Sequence, residues 1–344
     1  MPGKHTSLKK NIIELMTAIT FAATAVPFGR MRPLNILRDL PAVADLIELC
    51  FSSTLDPDGR SYIDQMRRNG RDSSFLSWAP RVIETVSLPL SGFVWENNGR
   101  VVANVSLIPF SSQGQKIFLI ANVATHPDFR RQGIARQLTS AAMDRARAKH
   151  AQAIWLHVRD DNPGAIQLYN ELGFVERSRR TTWQVSSGIT SNDQPTSKLQ
   201  ITQPGRRDWP IQSGWLARAY PAELDWYHPQ NWNIFRPGLF SAIYRILIDV
   251  SVQQWSAHRD GKPLGVLSCQ RSLGRADHLW AALPARQDAE VVGALLRYGQ
   301  QFVWQSRSLT FEYPVGPMDD AIRAAGFVPQ RTLAWMKAPG AATF

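Results

Sequence analysis

The stretch Asn122-Val-Ala-Thr-His-Pro-Asp-Phe-Arg-Arg-Gln-Gly-Ile-Ala-Arg-Gln-Leu138 constrains this chain more than any other. It reads as a strand, a tight turn, a basic loop with one glycine, and the start of a helix. Gly133 lets the backbone approach a ligand with no side chain in the way. The N–H groups that open a helix, with the positive end of its dipole, make a seat for an anion such as a phosphate. The helix that follows carries Ile134, Leu138, Ala141 and Ala142 on one face. Arg145, Arg147 and Lys149 suit the negative end of its dipole.

The surrounding pattern is regular. Residues 34–37 read as a short strand, with Asp39 capping a helix that Pro41 opens. Residues 62–66 read as helical. Strands at 93–96 and 101–108 meet at Asn98-Gly99, a type I′ hairpin signal, and 116–125 is a third strand. Residues 153–158 are a buried strand. Asn162 then caps a helix, Pro163 lies in its first turn and Gly173 ends it. Two strands, 174–176 and 181–185, are expected to close the sheet.

The loop and the later Asp161-Asn-Pro-Gly-Ala-Ile-Gln-Leu-Tyr-Asn-Glu-Leu-Gly-Phe174, in this order, resemble the acyl-CoA-binding core of the GNAT superfamily of N-acyltransferases. The resemblance covers residues 33–185 and implies that superfamily's α/β fold with a mixed sheet. Arg130-Arg131-Gln132-Gly133-Ile134-Ala135 fits the family pattern Arg/Gln-x-x-Gly-x-Gly/Ala. It implies that N–H groups from Arg131 to Arg136 hold the pyrophosphate of acetyl-CoA. It also implies that Val123, Ala124 and Thr125 end a strand beside which the pantetheine arm inserts, with an N–H near Val123 on the developing oxyanion. Asn162 is implied near the pantetheine, although a helix cap alone would explain it.

Tyr169 is implied as the proton donor to the departing CoA thiolate, and a phenol of ordinary pKa ~10 is protonated at neutral pH. Its neighbours Ala165, Leu168 and Leu172 are equally compatible with packing. His157 stands twelve residues before Tyr169, where ribosomal-protein alanine acetyltransferases, a branch of the superfamily, carry a catalytic Glu. A histidine there suits a general base, and also suits a satisfied residue of the sheet. Glu84, Glu96 and His126 are weaker candidates, and a base acting through water would leave no motif.

The polar stretch 187–198 reads as a linker. Beyond it the pattern restarts. Leu199-Gln-Ile201 echoes Leu34-Asn-Ile36, Asp260-Gly261 is a second hairpin turn, and Gly326-Phe-Val328 with Thr332 and Trp335 echoes Gly173-Phe-Val175 with Thr182 and Trp183. That spacing suits duplicated domains rather than a solenoid. The organisation read from sequence is an extension over 1–30, a catalytic domain over 31–186, the linker over 187–198 and a degenerate domain of the same fold over 199–344. Where the second phosphate loop should lie, residues 282–290 contain no glycine and include Asp288 and Glu290; Ile322 replaces Tyr169. One cofactor per chain is therefore expected.

Composition bounds the rest. A chain of 344 residues with 44% hydrophobic content and 12 tryptophans can bury two cores. Its two cysteines, Cys50 and Cys269, build neither a disulfide framework nor a zinc site, so no metal is expected and a reducing, cytoplasmic setting fits. Lys9-Lys10 ahead of an apolar run over 12–28 has the outline of a secretory signal, but Asn11, Glu14 and Thr17 dilute it and it is short for a membrane span. It is read as a dispensable extension. The net charge of +11 suits a polyanionic cofactor. Trp209, Trp226 and Trp232 lack interleaved Lys or Arg, so no nucleic acid is expected. The sequence thus points to acetyl transfer onto an amine-bearing small molecule or peptide by direct attack. The alternatives are a non-catalytic acyl-CoA-binding regulatory module and a basic nucleic-acid-associated protein.

Overall fold

The computed structural model describes residues 29–55, 57–72, 89–185, 199–227, 230–271, 276–302 and 307–340. The apolar run at 12–28, Glu84 and the 187–198 stretch lie outside them. The chain divides into two compact units, Met1–Pro109 with Ile120–Lys149, and Phe110–Leu119 with His150–Phe344.

The first unit is built on β1 (Arg30–Pro33), α1 (Ile36–Phe51), α2 (Pro57–Asn69), β2 (Gly92–Asn97), β3 (Arg100–Ser112) up to Pro109, β4 (Gln115–Thr125) from Ile120, and α3 (Ile134–Ala148). The four strands are neighbours in that order. Asn98 and Gly99 both have positive φ, 48° and 77°, as a type I′ turn between β2 and β3 requires. Ile36, Leu40, Val43 and Ile47 of α1 pack with Ile63 and Met66 of α2 and with Val94 and Ala124 of the sheet.

Residues 34–37 are not a strand. The strand is β1, and α1 has begun by Ile36. The reason is local: Asn35 Oδ1 accepts from Leu37 N (3.0 Å), and Asn35 N donates back to Asp39 Oδ2 (2.9 Å). Asp39 therefore lies inside the helix, not at its cap, and Pro41 sits beyond the first turn. Asp39 is buried and also accepts from Arg32 Nη1 (2.6 Å) and Nη2 (2.9 Å).

Desolvation works to raise the Asp39 pKa, but the Arg32 guanidinium, the Asn35 N–H and Arg38 together hold it below the ordinary carboxylate value. A depressed folded-state pKa adds stability above the unfolded value near ~3.9 and loses it as pH falls through the folded one. Asp39→Asn should therefore lower stability by about 2–3 kcal/mol at neutral pH. In urea melts this gap should narrow below pH ~4. A gap independent of pH would remove the ionic explanation.

The second unit contains β5 (Ala153–Arg159), α4 (Pro163–Glu171), β6 (Val175–Val185), β7 (Gln200–Thr202), α5 (Trp209–Ala219), α6 (Leu239–Leu247), β8 (Val252–Arg259), β9 (Lys262–Gln270), β10 (Ala276–Ala282), α7 (Ala289–Phe302), β11 (Ser308–Pro314), α8 (Asp319–Ala324) and β12 (Val328–Pro339). Its strands run in the order β5-β12-β6-β11-β10-β9-β8-β7. β10 and β11 pair in parallel. β12 is antiparallel to both β5 and β6. Trp183, Phe235, Leu267, Leu295, Phe311 and Phe327 centre the core.

The expected pair of strands at 174–176 and 181–185 is one continuous strand, β6, and it does not lie beside β5. That place is held by β12, from the far end of the chain, with Trp335 opposite His157. β6 instead lies between β12 and β11, with Thr181 opposite Thr332 and their hydroxyls 2.8 Å apart. The repeat seen in sequence, 173–183 echoed by 326–335, is thus two adjacent antiparallel strands. Buried Arg180 on β6 donates to Glu312 Oε1 (2.6 Å) and to the Ala219 carbonyl (2.8 Å), with its guanidinium over the Tyr220 ring.

Candidate functional site

The basic loop leaves β4 through a short turn, Pro127–Phe129. His126 caps it, its Nδ1 accepting from Asp128 N (3.3 Å), while its Nε2 lies 3.3 Å from Arg100. Next comes Arg130, whose Nε donates to the Thr125 carbonyl (3.1 Å); the Cys50 thiol donates to the same oxygen (3.3 Å). Arg130 thereby ties the loop back to the strand end that precedes it.

Arg131 and Gly133 take positive φ, 62° and 75°. Gly133 is the N-cap of α3, where no side chain caps the helix and no acidic residue lies in the first turn. The opening N–H groups of an α-helix lack intrahelical partners. A Cβ on Gly133 would meet nothing nearer than Gln137 Nε2 at 4.0 Å, so the glycine keeps an open approach to the backbone. The left-handed turns, the absent cap and the flanking arginines fit the pyrophosphate of acetyl-CoA. Residues 123–125 end β4, with Ala124 buried and Val123 and Thr125 half-buried.

Just before them, Asn122 interrupts the strand with φ 52°. Its Nδ2 donates to Tyr62 Oη (2.9 Å) and Ser106 Oγ (3.2 Å), and its carbonyl accepts from Asn104 Nδ2 (3.0 Å). Sequence reasoning gave Asn104 and Asn122 no role. The available signal was an asparagine embedded in an apolar strand, Val101-Val-Ala-Asn-Val105, which buries a polar amide that must be bonded.

In the second unit, Asn162 caps α4, its Oδ1 accepting from Ala165 N (3.1 Å). Tyr169 lies on this helix, 6% exposed, with its ring 6.0 Å from that of Phe174. Burial pushes its phenol well above the ordinary value, so it holds its proton throughout the physiological range. On β5, Ile154, Leu156 and Val158 are buried on one side. His157 faces the other, half-buried, with ring centroids 5.0 Å from Trp335 and 6.1 Å from Tyr227. Phe110, Trp155 and Trp226 extend this aromatic cluster.

Glu96 is engaged elsewhere. It accepts from Arg32 Nε (2.8 Å) and Arg38 Nη2 (2.7 Å), and the Arg32 bond holds its carboxyl below the ordinary value. The helix start in the second half that matches the phosphate loop is closed. There Asp288 Oδ1 accepts from Glu290 N (3.0 Å), and Arg259 Nη2 donates to Glu290 Oε2 (2.9 Å). A carboxylate occupies the place an anion would take. Ile322, at the position matching Tyr169, is fully buried in α8.

Residues 45–174 match the family described as the acetyltransferase (GNAT) family. Residues 45–174 are thus a GNAT-family domain. Over 68 residues it is 38% identical to the [ribosomal protein bS18]-alanine N-acetyltransferase of Escherichia coli K12, a match spanning 20% of this chain and 46% of that protein. Over 69 residues it is 29% identical to N-alpha-acetyltransferase 30 of Saccharomyces cerevisiae, spanning 20% and 39%. The chain thus spans about half the length, or less, of the curated relatives it matches.

The fold likeness extends further than the sequence likeness. A GCN5-related N-acetyltransferase from Sphaerobacter thermophilus superposes over 92% of this chain and 98% of its own, with a TM-score of 0.50 at 14% identity. The likeness is one of fold, a mixed α/β architecture. No helix among the described residues is long and apolar enough to cross a membrane. Among the same residues, no group of three or more His, Cys, Asp or Glu is placed to hold a metal.

Proposed function

We propose that this chain is an N-acetyltransferase that moves an acetyl group from acetyl-CoA to an amine by direct attack in a ternary complex. The observation that carries the reading is the contrast between the two helix starts. That of α3 is left-handed, uncapped and basic. That of α7 is filled by its own carboxylate. Acetyl-CoA supplies the thioester carbonyl; the N–C bond forms as the C–S bond breaks.

In this reading N–H groups from Arg131 to Arg136 hold the pyrophosphate, with Arg130 fixing the loop. Residues 123–125 align the pantetheine arm, and an N–H near Val123 stabilises negative charge on the carbonyl oxygen. Asn162 adds a contact near the pantetheine while it caps α4. Tyr169 gives its proton to the departing sulfur; its phenol is neutral and so carries the proton to give. His157 takes the proton that the acceptor's ammonium must lose before nitrogen can attack. The acceptor is an amine-bearing small molecule or peptide, and the protein works in the cytoplasm. The two halves are a duplicated fold in which only the first binds cofactor.

Calorimetry with acetyl-CoA should give one site per chain. Gly133→Asp strains the left-handed position and sets a carboxylate against the phosphates, so affinity should fall roughly 100-fold or more. Two sites, or undiminished binding by the variant, would overturn the assignment of the loop. A CoA-release screen across amines, polyamines, aminoglycosides, amino acids and peptides tests the transfer itself. Binding of acetyl-CoA with no release for any acceptor class would favour the regulatory-module reading.

A further inference from the structure

The helix α6 is turned the opposite way from an ordinary amphipathic helix of a soluble domain. Its sequence is Leu239-Phe-Ser-Ala-Ile-Tyr-Arg-Ile-Leu247. A helix with so many apolar side chains normally sets them against the core. Here none of its residues is buried. The side facing the protein carries Ser241, Ala242 and Arg245, all half-buried, and Arg245 Nη1 donates to the Ile234 carbonyl (2.7 Å). The side facing outward carries Leu239, Phe240, Ile243, Tyr244, Ile246 and Leu247, continued by Ile248. Phe240 is 89% exposed, Ile246 78% and Leu247 77%. An aromatic side chain such as Phe240 carries ~150–250 Å², and the exposed Leu and Ile side chains add to it. At these exposures the face amounts to several hundred Å², at or above the ~300–600 Å² of the largest patch on a typical monomer.

Charge at the N-terminal end of this face indicates its occupant. Arg206, Arg207 and Arg236 are all exposed, and Arg206 reaches the N-cap: a Cβ on Gly238 would lie 3.7 Å from Arg206 Nε. The whole chain carries +11. A second copy docked antiparallel through the same patch would offer these three arginines one exposed carboxylate at the far end of the face, Asp249, and leave most of the rim unmatched. An anionic lipid surface meets both features, the apolar side chains entering the acyl boundary and the arginines meeting headgroup phosphates. We propose that α6 and its arginine rim attach this protein peripherally to anionic membranes. The proposal does not rest on acyl transfer.

The test is co-sedimentation of the full chain with vesicles of phosphatidylglycerol and phosphatidylcholine, against vesicles of phosphatidylcholine alone. Binding should need the anionic lipid and weaken in high salt. Phe240→Ser with Leu247→Ser should lower partitioning roughly 100-fold, because two exposed side chains that would bury in lipid are lost. These positions touch no core, so circular dichroism and the melting temperature should not change. Arg206→Gln, Arg207→Gln and Arg236→Gln should each cost about fivefold. The proposal is overturned by absent binding, by equal binding to neutral vesicles, or by unchanged binding of the Phe240→Ser, Leu247→Ser chain. It is also overturned if sedimentation velocity finds a dimer that this double variant dissociates while vesicle binding stays at background.

Discussion

Replacing Tyr169 with phenylalanine is expected to lower turnover roughly 10²–10⁴-fold while leaving acetyl-CoA affinity nearly unchanged. The ring is buried on α4 and packs edge-on against Phe174, and phenylalanine keeps that packing. Only the hydroxyl is lost. Burial disfavours phenolate and keeps the hydroxyl protonated, which leaves a proton available to donate but also makes the phenol a weaker acid than an exposed one. Turnover separates this from a structural role. If Tyr169 only packs, Tyr169→Phe leaves turnover, affinity and melting temperature unchanged, whereas loss of a proton donor lowers turnover alone. Normal turnover by Tyr169→Phe, with an acceptor in hand, would remove the assignment. In the same assay, His157→Gln should flatten the acidic limb of the rate profile. An unchanged profile would return His157 to the aromatic cluster as a packing residue.

The parts of this molecule that were legible in its sequence are those fixed by short-range rules. The loop at 130–136 needs left-handed backbone at Arg131 and Gly133 and an uncapped helix start, and all of these lie within one turn of each other. The hairpins at Asn98-Gly99 and Asp260-Gly261 declare themselves in two residues, and all four have positive φ. The start of α1 was misread for a reason equally local. Both Asn35 and Asp39 are good capping residues; Asn35 takes the cap, while Asp39 accepts the Asn35 N–H from inside the helix and pairs with Arg32. Other features are not local at all. Nothing in residues 175–185 says which strand will lie beside them, because a strand carries no record of its partner beyond its alternation. The outward face of α6 was illegible for a related reason. Its periodicity states that one side is apolar, but not whether that side meets protein.

A chain ending before Val328 is expected not to fold, and this is the strongest consequence of the strand order. β12 contributes Ala334, Trp335, Met336 and Ala338 to the buried interior. Fully burying a large apolar side chain stabilises by ~1.5–3 kcal/mol. Trp335 and Met336 alone thus account for much of the ~5–15 kcal/mol by which a domain of ordinary stability exceeds its unfolded state. The loss of backbone pairing adds to this. β12 bonds to β5 through residues 333–339 and to β6 through residues 328–337, so its removal leaves two unpaired edges facing one gap. Such edges invite aggregation.

Cutting the chain within 187–198 while keeping both pieces should have the opposite outcome. The two fragments, co-expressed, are expected to purify together as one folded particle, because β12 of the second stands between β5 and β6 of the first. Expressed alone, the fragment ending in this stretch should be insoluble, even though it holds the whole of residues 45–174. If that fragment is instead soluble, monomeric and as heat-stable as the intact chain, β5 and β6 pair without β12. The second half of the chain would then be an appendage rather than the partner that completes the sheet bearing His157.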